Sequence, residues 1–333
     1  MNDIDVKKDF SQCIGNTPII RLKLASEISG CDIYGKCEFL NPGGSVKDRP
    51  ALQIIRDALK NKKIEKGGTI IEGTAGNTGI GLCLVGNSLG MKSVIVMPKT
   101  QSDEKKRMLK LCGADLRLVE ALPYKDPGNY IRFSENLSKS MKSDKGVFWA
   151  NQFDNLSNKK SHYLTTGPEM FNQLNSKIDG FICAVGTGGT ISGVSEYLKE
   201  KNKEIKIGLA DPFGSAMYNF FKHGELSSNG NSITEGIGQG RITKNLENTI
   251  IDECFQVSDK EALEIVFKMI ESEGLILGGS SGINIVGAIK LGKKIGPNKK
   301  IVTILCDYGT KYESKIFNKK FLKDKKLPVP KWL

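Results

Sequence analysis

Gly180-Phe-Ile-Cys-Ala-Val-Gly-Thr-Gly-Gly-Thr190 is the stretch from which the fold can be read. Gly180 to Val185 is an apolar run of strand length, and it stops at a glycine-rich turn. Apolar residues then return at helical spacing through Val194 and Leu198. A strand feeding a helix through a tight turn is half of a βαβ unit. The habit recurs along the chain. Thr69-Ile-Ile-Glu72 runs into Thr74-Ala-Gly-Asn-Thr78 and a helical pattern through Leu82, Leu84, Val85 and Leu89. Ser93 to Met97 is a strand ended by Pro98, Glu104 to Leu111 is helical, and Asp115 to Val119 is a strand again. Lys206 to Ala210 and Lys300 to Cys306 read as strands, with helices around Ala262–Ser272 and Ile285–Ile295. Alternating strands and helices imply parallel sheets covered on both faces. The runs separate near residue 150, which predicts two α/β domains facing a cleft. Phe321 to Leu333, rich in Lys and Pro, is expected to be an irregular surface tail.

Composition narrows the class. With 333 residues, 39% hydrophobic and 26% charged, the chain is that of a globular protein with a sizeable core. Its longest apolar runs are of strand length, so no membrane association is expected. Met1 to Phe10 is charged and lacks an apolar signal core, so a cytoplasmic location is expected. The net charge of +12 lies in scattered lysine runs such as Lys60–Lys63, Lys201–Glu204 and Lys319–Lys320. Without an arginine-rich arm or a basic–aromatic stripe, nucleic-acid binding is not expected; a general pull on small anions is. None of the eight cysteines stands in CxxC spacing, and there are two histidines. A reduced compartment and no metal site are expected.

Chemistry gathers in four loops. Asn41-Pro-Gly-Gly-Ser-Val-Lys-Asp-Arg49 places turn residues before Ser45, read as a helix N-cap, with Asp48 completing a capping-box-like pattern. Ala51, Leu52, Ile54, Ile55, Ala58 and Leu59 form the buried face of the helix that follows. Lys47 is therefore expected in the first turn, where burial and the positive helix end ease deprotonation of its amine. Those are the needs of a Schiff-base lysine. Gly186–Thr190 lets backbone N–H groups and hydroxyls converge on one anion at a helix start. Its spacing is not the dinucleotide GxGxxG, and no GxxxxGK[ST] occurs, so a phosphate monoester is favoured over NAD or ATP. Thr74–Thr78 is a second such turn and Gly278-Gly-Ser-Ser-Gly282 a third. Each alone is explained equally well as a tight turn. Gln152 is explained equally well as a structural amide.

Taken in order, Ile14–Pro18, Asn41–Arg49, Thr74–Gly79, Gln152–Phe153, Gly186–Thr190, Glu235–Gly238 and Gly278–Gly282 resemble the cysteine synthase (O-acetylserine sulfhydrylase) group over nearly the whole chain. That group belongs to the fold-type II pyridoxal-phosphate (PLP) enzymes. The resemblance implies two three-layer α/β domains with twisted, mostly parallel sheets, like the tryptophan synthase β-subunit. It implies a smaller mobile substrate-side domain at 46–155, a larger PLP-phosphate domain at 13–45 with 156–320, and a tail at 321–333.

Carried over residue by residue, Lys47 resembles the catalytic lysine that anchors the cofactor and then acts as base. Asn77 resembles the partner of the phenolic oxygen, and Gly186, Thr187, Gly188, Gly189 and Thr190 the phosphate cup. Ser280 matches the residue facing the pyridine nitrogen, where a neutral partner suits β-elimination. Thr74, Ala75, Gly76, Asn77, Thr78, Gln152 and Gly236 resemble the substrate-binding set. The implied reaction converts O-acetylserine and sulfide to cysteine and acetate through an aminoacrylate. Ala75 departs from the serine of many cysteine synthases, and Gln239 from the tyrosine of cystathionine β-synthases. Cystathionine β-synthase, cyanoalanine synthase and cysteine desulfhydrase remain as alternatives, as does a silent binding partner of serine acetyltransferase. Homodimerisation is implied by the family. Asp307–Thr310 falls where relatives carry a cofactor-proximal segment.

Overall fold

A computed structural model describes residues 6–333; the beginning of the charged N-terminal stretch lies outside them. Strands β1 (Ile19–Arg21), β2 (Asp32–Cys37), β3 (Thr69–Gly73), β4 (Lys92–Pro98), β5 (Asp115–Val119), β6 (Val147–Trp149), β7 (Gly180–Cys183), β8 (Lys206–Pro212), β9 (Glu253–Val257) and β10 (Lys300–Leu305) make two sheets. The larger runs β1-β2-β10-β7-β8-β9 and the smaller β5-β4-β3-β6. Among the strands of the described residues only the β1–β2 pair is antiparallel, with Ile19 opposite Lys36, and the other strand pairs are parallel. This is the α/β architecture expected of fold-type II PLP enzymes.

The central strands are largely apolar because helices cover both of their faces. Every residue of β3 and β7 is buried. On one face of the large sheet, Ile182, Ala210 and Ile301 pack with Ile283, Ile285 and Leu291 of the Gly279–Ile295 helix. On the other face, Phe181, Ile207 and Val302 pack with Ile191, Val194 and Leu198 of the Gly189–Lys201 helix. In the small unit, Ile54 and Ile55 of the Asp48–Lys60 helix meet Ile70, Leu82, Val85 and Phe148.

Four strands carried no clear signal. β1 and β6 are three residues each, too short for a period. β9 carries Glu253 and Gln256 near the sheet edge. β2 contains Lys36, which is completely buried, and a charge in mid-strand masks an apolar run. Its ammonium donates to Thr17 O (2.6 Å) and Gln173 Oε1 (3.0 Å) and pairs with Glu169 (2.7 Å). Glu169 in turn receives Arg49 on both oxygens (2.7 Å each), and Arg49 also grips both oxygens of Glu38 (2.6 and 2.8 Å). Burial works to raise the pKa of Glu38, but Arg49, Thr17 and Lys36 hold it below its ordinary value.

The C-terminal segment differs from the irregular surface tail read from its Lys and Pro content. Lys319–Asp324 is helical and Leu322 is fully buried. Leu327, Val329 and Leu333 pack on the same cluster as Leu263 and Phe267. Trp332 stacks on Phe317 and donates its indole N–H to Glu271. Apolar residues spaced irregularly among lysines found a hydrophobic shelf that local pattern could not show.

Arg49→Met is expected to lower the unfolding free energy by about 3–5 kcal/mol, because it strands the buried Glu38 carboxylate. Urea titration checks this. A loss below about 1 kcal/mol, the usual value of an exposed pair, would show that the network contributes no more than surface charge.

Candidate active site

Lys47 directly precedes the Asp48–Lys60 helix as its N-cap residue, with no side-chain cap of its own. Ser45, read from the sequence as the N-cap, lies ahead of the helix start, and its Oγ accepts Lys47 N (3.3 Å). Ser45 lies in a strand-like bridge with Asp307, and Val46 N donates to Cys306 O (2.9 Å), which ends the extended segment too early for capping. Asp48 instead reaches back to accept Gly43 N (2.5 Å), closing the turn on the first residue of the helix. A Cβ on Gly43 would stand 2.5 Å from Asp48 Oδ1, so this turn requires glycine. Burial pushes the Asp48 carboxyl up to about 7. Burial also lowers the Lys47 pKa, opposed by Cys306 and Asp307, and its amine is easier to deprotonate.

The end of β10 seats this turn. Leu277 bridges Tyr308, and Gly278 N donates to Asp307 O (3.1 Å), so residues 306–308 hold the Lys47 turn and the Gly278–Gly282 loop together. Ser280 opens the Gly279–Ile295 helix and faces the same space as Lys47. Cys306 lies there too; burial pushes its thiol up to about 11, so it stays neutral at ordinary pH.

From the small sheet, β3 ends in Thr74–Thr78 and opens the Asn77–Ser88 helix. Thr74 Oγ1 accepts Gly76 N (3.0 Å), which shapes the turn. Gln152 accepts Thr78 Oγ1 (2.5 Å) and donates to Gly73 O (3.2 Å), so its amide braces the turn while its side chain also lines the cleft. Asn77 donates to Asp307 Oδ2 (2.7 Å) and accepts Lys311 Nζ (3.1 Å).

From the large sheet, β7 runs into Gly186–Thr190 at the start of the Gly189–Lys201 helix, whose first N–H groups have no partner within the helix. Asn158 Nδ2 donates to Thr187 Oγ1 (2.8 Å), leaving that hydroxyl's own proton free to donate. His162 Nε2 lies 3.2 Å from Thr190 Oγ1, and burial holds its pKa well below the ordinary value, so it stands behind the loop as a neutral ring. A Cβ on Gly186 would come within 2.2 Å of Gly236 O, so this loop and the Glu235–Gly238 loop touch backbone to backbone.

Lys47, the Thr74–Thr78 turn, Gln152, Gly186, Thr187, Gly236 and Ser280 face one cleft of ≈ 380 Å³. Gly188 and Thr190 wall a smaller chamber that shares Lys47, Gly186, Thr187 and Cys306 with that cleft. Gly189 is on neither wall; its Cα is pressed against Asn158, whose Oδ1 a Cβ would meet at 2.1 Å. Sequence reasoning missed the lysines of the mouth. Lys105 pairs with Glu235 (2.7 Å), Lys315 holds the other oxygen of Glu235, and all three line the cleft. In so lysine-rich a chain neither lysine carries a local signal.

This constellation is that of a family. The pyridoxal-phosphate dependent enzyme family model matches residues 10–307, and the chain belongs to that family. It is 46% identical to cysteine synthase 1 of Neurospora crassa over 97% of this chain and 86% of the relative. It is 39% identical to the cysteine synthase of Staphylococcus aureus, over 92% of this chain and 95% of that one. The crystal structure of an O-acetylserine dependent cystathionine β-synthase from Helicobacter pylori superposes with a TM-score of 0.85 at 32% identity. That match covers 94% of this chain and 99% of that one. The protein is a PLP-dependent enzyme.

Glu72 stands behind the Thr74–Thr78 turn, fully buried, with Gln152 N 3.4 Å from its Oε2. Burial pushes its carboxyl up to about 8 from 4.5. The fold thus favours the protonated acid. That contribution is whole below pH 4.5 and is lost as pH rises through about 8. Glu72→Gln, which cannot ionise, is expected to melt close to wild type in acid and several degrees above it beyond pH 8. Melting curves across this range that stay parallel would contradict the assignment.

Proposed function

We propose that this enzyme carries out β-replacement on an activated serine, converting O-acetylserine and sulfide to cysteine and acetate. The observation that carries the reading is the convergence of Lys47, the Thr74–Thr78 turn, Gly186 and Thr187 on one cleft, with Gly188 and Thr190 walling the chamber that adjoins it. The residues fit PLP. The walls of the inner chamber carry glycine N–H groups, Thr187, Thr190 and Lys47 but no carboxylate, which is a donor set for a phosphate. Gly186 to Thr190 would hold that phosphate, Asn77 the phenolic oxygen and Ser280 the ring nitrogen. Bound there, PLP would supply the electron sink for the carbanion left when the substrate loses its Cα proton.

The chain's own residues do the rest. N–H groups of the Thr74–Thr78 turn hold the amino-acid carboxylate and aim its Cα–H at Lys47. Such orientation supplies much of a rate enhancement. The neutral Lys47 amine takes that proton, acting as general base. Two lysines on the single Glu235 carboxylate leave the mouth positive, which draws in the substrate carboxylate and hydrosulfide. The small-sheet unit, residues 46–155, is the mobile substrate-side half, closing on the PLP-binding half formed by 13–45 and 156–320.

Gln239 Nε2 donates to Gly186 O (2.9 Å) at the position where cystathionine β-synthases carry tyrosine. This supports sulfide over homocysteine as acceptor, although the Helicobacter neighbour is an O-acetylserine dependent cystathionine β-synthase. Cyanide addition and cysteine desulfhydration run on the same residues. The enzyme works as a cytoplasmic homodimer, and the carboxylate-binding turn also seats the C-terminus of serine acetyltransferase. Among the described residues no helix is long and apolar enough to cross a membrane.

Lys47→Ala is expected to bind PLP but to lack the visible band of the lysine linkage, with turnover reduced by at least about 10²–10⁴-fold. Wild-type turnover in this variant would overturn the role of Lys47, and faster turnover with homocysteine than with sulfide would overturn the choice of acceptor. Sedimentation equilibrium is expected to give twice the chain mass; a monomer at micromolar concentration would refute the dimer.

A further inference from the structure

Lys311 lies outside every motif used above, yet its ammonium is placed among the residues that position Lys47. Nζ donates to Gly43 O (3.0 Å), Gly44 O (3.0 Å) and Asn77 Oδ1 (3.1 Å). An ammonium has three N–H donors, and each of these oxygens can take one. The first two acceptors belong to the turn that carries Lys47. The third belongs to the side chain proposed to meet the cofactor's phenolic oxygen.

Asp307 completes the arrangement from the other side. Its Oδ2 accepts Asn77 Nδ2 (2.7 Å) and Tyr312 Oη (2.7 Å), and the residue is fully buried. With a cation on its oxygen and a carboxylate on its nitrogen, the Asn77 amide has one permitted orientation. One N–H of Nδ2 is used, and the other remains for a ligand in the cleft that Asn77 lines. Asp48, the neighbour of Lys47 in the chain, lies close enough to support the Lys311 charge, as does Asp307; both oppose the lowering of its pKa by burial.

We propose that Lys311 is a positioning residue for the Lys47 reaction. It ties the Gly43–Gly44 turn to Asn77, so that the Lys47 amine and the free Asn77 N–H keep a fixed separation across the cleft. The inference rests on the PLP reading given above. Its consequence is that removing Lys311 alters the surroundings of the bound cofactor before it alters substrate binding, because the carboxylate turn is shaped by Thr74 and Gln152 instead.

The test compares wild type, Lys311→Met and Lys311→Arg after loading with PLP. It reads visible absorption, cofactor fluorescence, the rate of cofactor release, and kcat and KM for O-acetylserine. Lys311→Met is expected to take up PLP with a shifted visible band and faster release. Its kcat should fall by about 10- to 100-fold while KM stays within about threefold, the pattern of a small misplacement of the reacting groups. Lys311→Arg is expected to recover part of the spectrum, since a planar guanidinium cannot aim three donors from a single point. A Lys311→Met protein with the wild-type band and release rate would overturn the proposal, even if it melted lower, because that is what a purely structural lysine would give. Should that variant fail to fold, a wild-type spectrum and release rate in Lys311→Arg would overturn it equally. Wild-type protein that forms no visible band with PLP would overturn the cofactor reading itself.

Discussion

The buried ion cluster Lys36–Glu169–Arg49–Glu38 is the constraint on which the rest of the site depends. Arg49 lies two residues beyond Lys47, at the start of the helix that leads into the small unit. Lys36 belongs to β2 of the large sheet, Glu38 to the short helical turn Glu38–Leu40 that follows it, and Glu169 to the Gly167–Gln173 helix. Charges taken out of water are tolerated only when each finds good partners. Here the guanidinium fork meets two carboxylates on two oxygens each, a geometry that a lysine could not reproduce. The start of the Lys47 helix therefore has one allowed position relative to the large sheet.

A second seam completes what the cluster begins. The chain leaving β10 runs between the Lys47 turn and the Ser280 loop and pairs with both. A strand that exits at the carboxyl edge of a parallel sheet sits where such sheets place their ligands. The contact of Gly186 with the Gly236 carbonyl shows how tightly the remaining loops are drawn in; backbone meets backbone with no space for a side chain. The small unit reaches this seam through Asn77 and through Glu104, which accepts Ser314 N (2.9 Å) and Ser314 Oγ (2.9 Å). The Lys105–Glu235–Lys315 group is a further link of this kind, spanning the mouth from small unit to large. These links hold the two units together at the edge of the cleft.

Membership of the PLP-dependent family and likeness to cysteine synthases settle the chemistry in outline. What distinguishes one acceptor from another lies in the few residues that differ. Ala75 and Gln239 line the cleft, and the Gln239 amide donates to Gly186 O (2.9 Å). One fold serves several related reactions through the residues that line its site.

The order of strands and helices was legible in the sequence because buried parallel strands are apolar throughout and glycine turns mark their ends. The Gly186–Thr190 loop, the Thr74–Thr78 turn and the turn before Lys47 were legible for the same reason: each is a local motif of neighbouring residues. The resemblance to a known family then gathered these separate loops into one site. The Ser45 cap was misread because its backbone pairs with Asp307, more than 250 residues away. The C-terminal segment was misread because its apolar residues find their partners only in three dimensions. Lys36, Lys105 and Lys311 stand among many lysines and carry no local signal. Their burial is set by carboxylates and carbonyls that are distant in the chain, and such pairing leaves no trace in local periodicity. The sequence by itself determined the α/β class and the glycine-rich loops that end its strands, since these follow from short-range pattern. Only the tertiary structure decided which charges are buried and paired around Lys47, since electrostatic partners are chosen by proximity in space.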